Sequence, residues 1–316
     1  MPDNPRTVRC LEAISVSGSQ AVKVQADTID LMDLDAAANE LYDLCVTHLG
    51  EHVGRQLAAL ARPTAALIPT ASGVQTGRSR LGGPALLNPG TAWPEYEGHP
   101  LSLLAVIDSA HLGSWADAYL PNRPCLLNFF FLQIDDLDYQ NRHPHLRAAL
   151  PGLGNPLTCR IIPADSRHAE EVCAPPLATS FTTTSLHMVT GLTLPDFADD
   201  PVLNSLDLGT HAATGIYGAM PGLFVDEKFG SVWADHMARQ SLFDEHTHRV
   251  FGWPSLGAGS CLRTSLRAKE EFVHILELTS TREFQWGDGG SLHFVSPAGA
   301  LHDGDFTRVV ADASGW

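Results

Sequence analysis

The spacing of hydrophobic positions changes character several times along the chain, and each change predicts a different element. Val8 to Val24 alternates through Val8, Cys10, Ile14, Val16, Val22 and Val24 around Ser17-Gly18-Ser19, which predicts one or two β segments. From Asp35 to Ala61 the period lengthens. Leu34, Ala38, Leu41, Cys45, Leu49, Val53, Leu57 and Leu60 recur at steps of three and four, the spacing of one helical face. Asp33 or Asp35 can cap this helix and Pro63 ends it, while Gly50 and Gly54 weaken it and favour two helices over one.

Ala71 to Arg80 is polar and rich in Ser, Thr and Gly, a natural boundary. Leu81 to Glu97 contains Gly82-Gly83-Pro84, Pro89-Gly90 and Trp93-Pro94, too many breakers for regular structure, so an ordered loop is expected there. Leu101 to Asp108 is almost wholly apolar, the pattern of a strand buried on both faces, and a short helix carrying Trp115 is expected over Ala110 to Leu120. Cys125 to Ile134 is the strongest β run, and Asn128 inside it needs a hydrogen-bond partner if buried. Thr158 to Pro163 predicts a further strand. Ala164 to Thr214 is Pro-, Thr- and Asp-rich and predicts loop, with a helix near Asp200 to Leu206; Asp226 to Asp244 predicts a helix with Phe229, Val232, Trp233, His236 and Met237 inward. Near the end, Phe272 to Leu278 and Ser291 to Val295 flank Gly287-Asp288-Gly289-Gly290, the signature of a β-hairpin whose unusual backbone angles fall on glycine. An aliphatic strand followed by an aromatic-containing one thus occurs twice, a pattern that permits an internal repeat without establishing it.

With 316 residues the chain can bury a large core as one large or two small domains. The formal charge of −16, from 36 acidic against 20 basic residues, repels phosphate backbones and anionic lipid. Nucleic acid and membrane surfaces are therefore excluded as expected partners, and a basic protein or a cationic small molecule is favoured. No apolar run near the N-terminus is long enough for a signal peptide and none elsewhere approaches a membrane span, so a cytoplasmic location is expected. Cys10, Cys45, Cys125, Cys159, Cys173 and Cys261 are scattered without a C-x-x-C pair, which suits reduced thiols rather than a disulfide framework or a cysteine zinc site.

Two ordered blocks carry a family resemblance. Ser79-Arg80-Leu81-Gly82-Gly83-Pro84, Trp93-Pro94 and Pro100-Leu101-Ser102-Leu103-Leu104-Ala105-Val106-Ile107 form the first. Trp286-Gly287-Asp288-x-Gly290 with Asp303-x-Asp305-Phe306 forms the second, and Phe251-Gly252-Trp253-Pro254 agrees with an internal element between them. Together they resemble the YwqG-like family from Ser79 to the C-terminus. The resemblance implies an α+β fold with an internally repeated β unit and no assigned chemistry; family members are found beside polymorphic toxin genes, as immunity or accessory proteins. The chain departs from the family where Ala-Gln-Ile becomes Ala105-Val106-Ile107 and where a later strand glutamine becomes Glu277. A carboxylate on a central strand is costly to bury alone, so Glu277 faces solvent, pairs with an arginine such as Arg263 or Arg267, or lines a cavity.

Candidate chemistry centres on the last hairpin. If Glu277 and His293 share a face, they form a carboxylate–imidazole pair with Asp288 at the end of the turn, able to move a proton or bind a cation. The sequence leaves the register open, and an Asx-held turn accounts for Asp288 as well. Trp286, Gly82, Gly83 and Trp93 are the candidate ligand-binding residues; Gly82 and Gly83 equally suit close strand packing, and Trp93 a plug over the core. Asp244-Glu245-His246-Thr247-His248-Arg249 is the densest titratable run, and a solvated loop explains it as well as chemistry does. His48 and His52 have helical metal-pair spacing but no Glu between them in the H-E-x-x-H position. No metal and no cofactor is expected; Asp244, His246 and His248 are the residues that would hold an ion if one bound. No nucleophile elbow, phosphate loop or dinucleotide fingerprint is present, so acid–base work is the only catalysis the sequence makes easy.

The expectation is an α+β protein: a β-rich core of two related β units over residues 76–316, preceded by an N-terminal β/helical arm over 1–75. The expected function is a cytoplasmic binding or accessory protein, of immunity or partner-subunit type, engaging a protein partner through an acidic surface. The alternative is an enzyme or obligate enzyme subunit in small-molecule, natural-product biosynthesis, using Glu277, Asp288 and His293.

Overall fold

The computed structural model describes residues 34–70, 75–122, 124–134, 137–149, 155–195, 206–207, 236, 247–254, 270–283 and 285–314. The β segments expected before Val24, the helix expected near residues 200–206 apart from Leu206, most of the helix at 226–244, and Asp244, His246, Arg263 and Arg267 lie outside these residues.

Helix α1 (Leu34–Ala58) is interrupted at Gly50, whose φ of 79° only glycine adopts without strain. The two helical segments the glycines imply are therefore both present. Gly54 lets them close together, since a Cβ there would stand 2.6 Å from the Cys45 backbone. The buried side, Ala37, Leu41, Cys45, Leu49, Val53 and Leu57, packs on Leu192 and Leu194.

Ten strands make one antiparallel, nearly closed sheet. They are β1 (Arg62–Pro69), β2 (Arg80–Leu81), β6 (Ser102–Asp108), β7 (Leu126–Phe131), β8 (Cys159–Ala164), β10 (Thr184–Thr193), β11 (His248–Phe251), β12 (Phe272–Thr279), β13 (Ser291–Pro297) and β14 (Val310–Ser314). Their order is β14-β13-β12-β11-β1-β10-β2-β6-β7-β8. The two end strands approach each other, and the Cys159 thiol at the start of β8 lies 3.4 Å from the Val309 carbonyl just before β14. β3 (Ala85–Leu87) pairs with β9 (Glu170–Val172), and β4 (Glu95–Tyr96) with β5 (His99–Pro100).

The concave interior is apolar. Leu104, Ala105, Ile107, Leu127 and Phe129 meet Leu276, Leu278, Leu292, Phe294 and Ala311 there, with the Phe129 and Phe294 rings in an edge contact at 5.3 Å. The outer face of β6 and β7 carries Leu103, Val106, Leu126 and Phe130, which pack with Leu86 and Leu87 of β3. Asn128 is buried in that layer and fully engaged: its Oδ1 accepts from the Leu86 amide at 2.8 Å and its Nδ2 donates to the Leu86 and Ile162 carbonyls at 2.7 and 3.1 Å. This supplies the partner that a buried strand amide requires.

Three expectations change. Residues 81–97, expected as an ordered loop without regular structure, carry the end of β2, β3 and β4, each a short strand fitted between the breakers. Residues 164–214 were expected to be mostly loop, yet the ten-residue β10 lies in the middle of the sheet. Its Thr- and Gly-rich sequence, TSLHMVTGLT, lacks a strong apolar alternation, and pairing of residues 186–193 with β1 and of Thr184 and Ser185 with β2 defines it instead. Residues 110–120 form short 3₁₀ turns, Ser109–His111 and Ser114–Ala118, rather than one α-helix. Asp108 caps the first of these by accepting from the Ala110 amide.

Candidate functional site: a buried histidine–glutamate cluster

The register of the last hairpin decides the question the sequence left open. Glu277 stands directly opposite His293 in the β12–β13 pairing, so their side chains share one face. A β-bulge brings in a third residue. His274 pairs with Val295 but Leu276 with Phe294, so Ile275 is the extra residue, and parity along β12 switches across it. His274 and Glu277 would point to opposite faces in a regular strand; here they share one. Ligand atoms of His274, Glu277 and His293 all lie within 4.8 Å of one another. His274 Nε2 and His293 Nδ1 are 3.4 Å apart.

The neighbouring strands complete the surroundings. Arg249 of β11 lies opposite Glu277, with its Nε 3.4 Å from Glu277 Oε2. Asp312 of β14 lies opposite His293. Glu277, His293 and His274 are 1%, 0% and 3% exposed, so the cluster is sealed from bulk water. Burial pushes the His274 imidazole down to about 3, and the nearby His293 adds to that fall, while Glu277 opposes it. His293 is lowered as well, again chiefly by burial, with Glu277 and Asp312 opposing. Both rings are therefore neutral at physiological pH, the state in which imidazole donates a lone pair.

The other candidates are placed apart from this cluster. Asp288 is exposed in the turn between β12 and β13. That connection is held by Ser280, whose Oγ accepts from the Trp286 amide and donates to the Gly290 carbonyl. Trp286 is buried, edge-on to Phe131 at 5.9 Å. Gly82 and Gly83 have positive φ and their amides donate to the Leu104 and Phe181 carbonyls, so the backbone there is engaged in closing strands together. Trp93 donates to the Leu101 carbonyl and packs on Phe130, the plug over the core. His248 is buried in β11, its Nδ1 accepting from the Thr279 amide. The break at Gly50 falls between His48 and His52, which removes the shared helical face, and His52 meets Asp207 at 3.0 Å. Cys45 and Cys159 are buried, and burial pushes both thiols up to about 12, which leaves them inert.

The sequence reading named Glu277 and His293 as a candidate pair; the structure sets them opposite each other and adds His274, Arg249 and Asp312, while Arg263 and Arg267 lie outside the described residues. The spacing of His274 and Glu277 is wrong for one face of a regular strand, and nothing in Val273-His274-Ile275-Leu276-Glu277 marks the bulge.

Fold and site define a β-rich protein built on one nearly closed antiparallel sheet, with an ionisable cluster enclosed on the outer face of one end. The chain belongs to the family described as Domain of unknown function (DUF1963), which matches residues 79–313. No curated protein matches it. Among the described residues no helix is long and apolar enough to cross a membrane.

Proposed function

We propose that this protein is a YwqG-like binding protein of the cytoplasm, of immunity or accessory type, that engages a basic protein partner through its acidic surface. The observation that carries this reading is a concavity of about 450 Å³ beside the ends of β12 and β13, where Glu270, Glu271, Asp303 and Asp305 face a single arginine, Arg308. Arg308 is tied to Glu270 at 2.8 Å, so the rim remains net acidic. Such a surface attracts a basic partner over long range and loses that attraction as salt rises. A cationic small molecule satisfies the same chemistry.

The YwqG-like assignment carries with it a two-unit sheet, and the strand order supports that. Outward from the central β1–β10 pair, β11-β12-β13-β14 on one side stands in the places of β2-β6-β7-β8 on the other. Arg80 opposes Val106 as Arg249 opposes Glu277. Gly82 and Gly83 have φ of 56° and 74°, and Phe251 and Gly252 have 58° and 74°.

The test is co-purification from the native host at low and high salt, with wild type and with Glu271→Gln/Asp303→Asn. A specific partner retained by wild type at low salt, and lost both at high salt and with the variant, is expected. Equal retention in all arms would remove the acidic surface from the function. A second reading, an obligate enzyme subunit in small-molecule biosynthesis, is favoured by the Glu277–His293 register, which supplies a carboxylate–imidazole pair for proton transfer. Location of the gene beside a toxin gene favours the first reading, and location in a biosynthetic cluster the second.

A further inference from the structure

We infer that His274, Glu277 and His293 form a binding site for one divalent transition-metal ion, built by the β-bulge at Ile275. The inference does not depend on the partner-binding reading, and concerns a different part of the molecule.

Two nitrogens each about 2.0–2.1 Å from a tetrahedral ion stand about 3.3 Å apart. His274 Nε2 and His293 Nδ1 are 3.4 Å apart. A carboxylate oxygen of Glu277 lies within 4.8 Å of a ring nitrogen of each histidine, so the three donors can converge on one ion. Two imidazoles and one carboxylate are the donor set that zinc, manganese, iron and cobalt accept, whereas calcium and magnesium prefer oxygen alone.

The surroundings suit ligation. Asp312, across from His293 on β14, stands where an outer carboxylate orients and enriches a ligating imidazole. Arg249 beside one Glu277 oxygen holds the carboxylate in place and moderates its charge. The opposing interpretation is a structural polar cluster, in which a proton shared between the two imidazoles does what the ion would do.

The fold does not itself demand these side chains. The β6–β7 hairpin has a bulge at the matching place, between Leu103 and Ala105, and there the same face carries Leu103, Val106 and Asn128. The same backbone device exists without ligands in one region and with three in the other.

The experiment uses the full chain without a histidine tag, purified without chelator and analysed for metal content, then stripped and titrated with Zn²⁺ and Co²⁺ by calorimetry. One ion per chain, a visible Co²⁺ spectrum and a higher melting temperature on reloading are expected. Glu277→Gln and His274→Gln should each weaken Zn²⁺ binding by at least about ten-fold. Should either variant fail to fold, Cu²⁺-loaded wild type decides: pulsed electron paramagnetic resonance should count two coordinated imidazoles. Failure of the folded wild type to bind Zn²⁺ or Co²⁺, binding unchanged in both variants, or fewer than two imidazoles on copper would each overturn the site. Neither outcome affects the salt-sensitive capture that tests the acidic surface.

Discussion

The hairpins β6–β7 and β12–β13 are the informative pair of regions. The first buries every residue of its two strands and the second all but Phe272, each is displaced by one residue near its start, and each has an arginine-bearing strand paired to its first member. Their outer faces nevertheless differ in kind. Across from Val106 stands Asn128, whose three hydrogen bonds go to fixed backbone groups, and the rest of the layer is apolar. Across from Glu277 stands His293, with His274, Arg249 and Asp312 around them. The first arrangement is a way of closing a sheet against a covering strand. The second enclosed charges that water would solvate better, and a buried ion pair replaced by apolar residues is often no less stable. The comparison teaches that the ionisable cluster is an addition to the fold rather than a requirement of it.

The largest break in that comparison should come from the arginines. Arg249→Met leaves Glu277 without its counter-ion in a dry site, and a loss of about 3–5 kcal/mol is expected in urea unfolding. Arg80→Met should cost less, because its carboxylate partner Glu171 is 63% exposed and can turn to water. Equal losses would show that the two regions are not energetically distinct.

Next is the backbone after each arginine. Gly82 takes its positive φ freely, whereas Phe251 takes nearly the same angle at a steric cost of about 1–2 kcal/mol. The ring offsets that cost by stacking on Tyr119 at 5.0 Å and meeting Trp115 edge-on at 5.7 Å. Phe251→Gly relieves the strain but loses the packing, so a net loss of about 2–4 kcal/mol is expected in thermal or urea unfolding. A stabilised variant would mean that strain, not packing, dominates at this position.

The pH dependence sharpens the contrast further. His274 is held down from its ordinary 6.5 to about 3 and His293 is lowered as well, so below 6.5 the unfolded chain binds protons that the folded chain refuses. Their contribution to stability is complete above about 6.5 and is lost as pH falls, for His274 towards 3. In metal-free protein each such proton contributes a slope of about 1.4 kcal/mol per pH unit. Glu277, Arg249 and Asp312 are the charged groups that face these rings from β12, β11 and β14. His293→Asn, which copies Asn128, should flatten the slope measured by urea unfolding across this range; an unchanged slope would assign it to other groups.

The smallest effect is expected at Asp288. It is exposed at the turn, so Asp288→Ala should change stability by no more than about 0.5 kcal/mol and leave zinc binding untouched. A loss of zinc affinity in that variant would place the carboxylate in the cluster after all.

The sequence by itself determined the elements whose side chains are all of one kind or strictly periodic. Leu101 to Asp108 and Cys125 to Ile134 announce buried strands because nearly every residue is apolar, and the Asp35 to Ala61 period gives the helix, its glycines included. It also marked Glu277 and His293, because ionisable residues in apolar strands need an explanation. Tertiary structure alone decided the rest. β10 and β1 are strands because they pair with each other, and β11 emerges from a run of charged and imidazole side chains because β1 and β12 flank it. The cluster was decided by register. A strand's side chains alternate with period two, so one extra residue at Ile275 turns His274 onto the face of Glu277, and a choice of one pairing over the next carries His293 there too. Such a choice depends on which long-range pairing buries the most apolar surface, a property of both strands and their neighbours together, and no local stretch of sequence contains it.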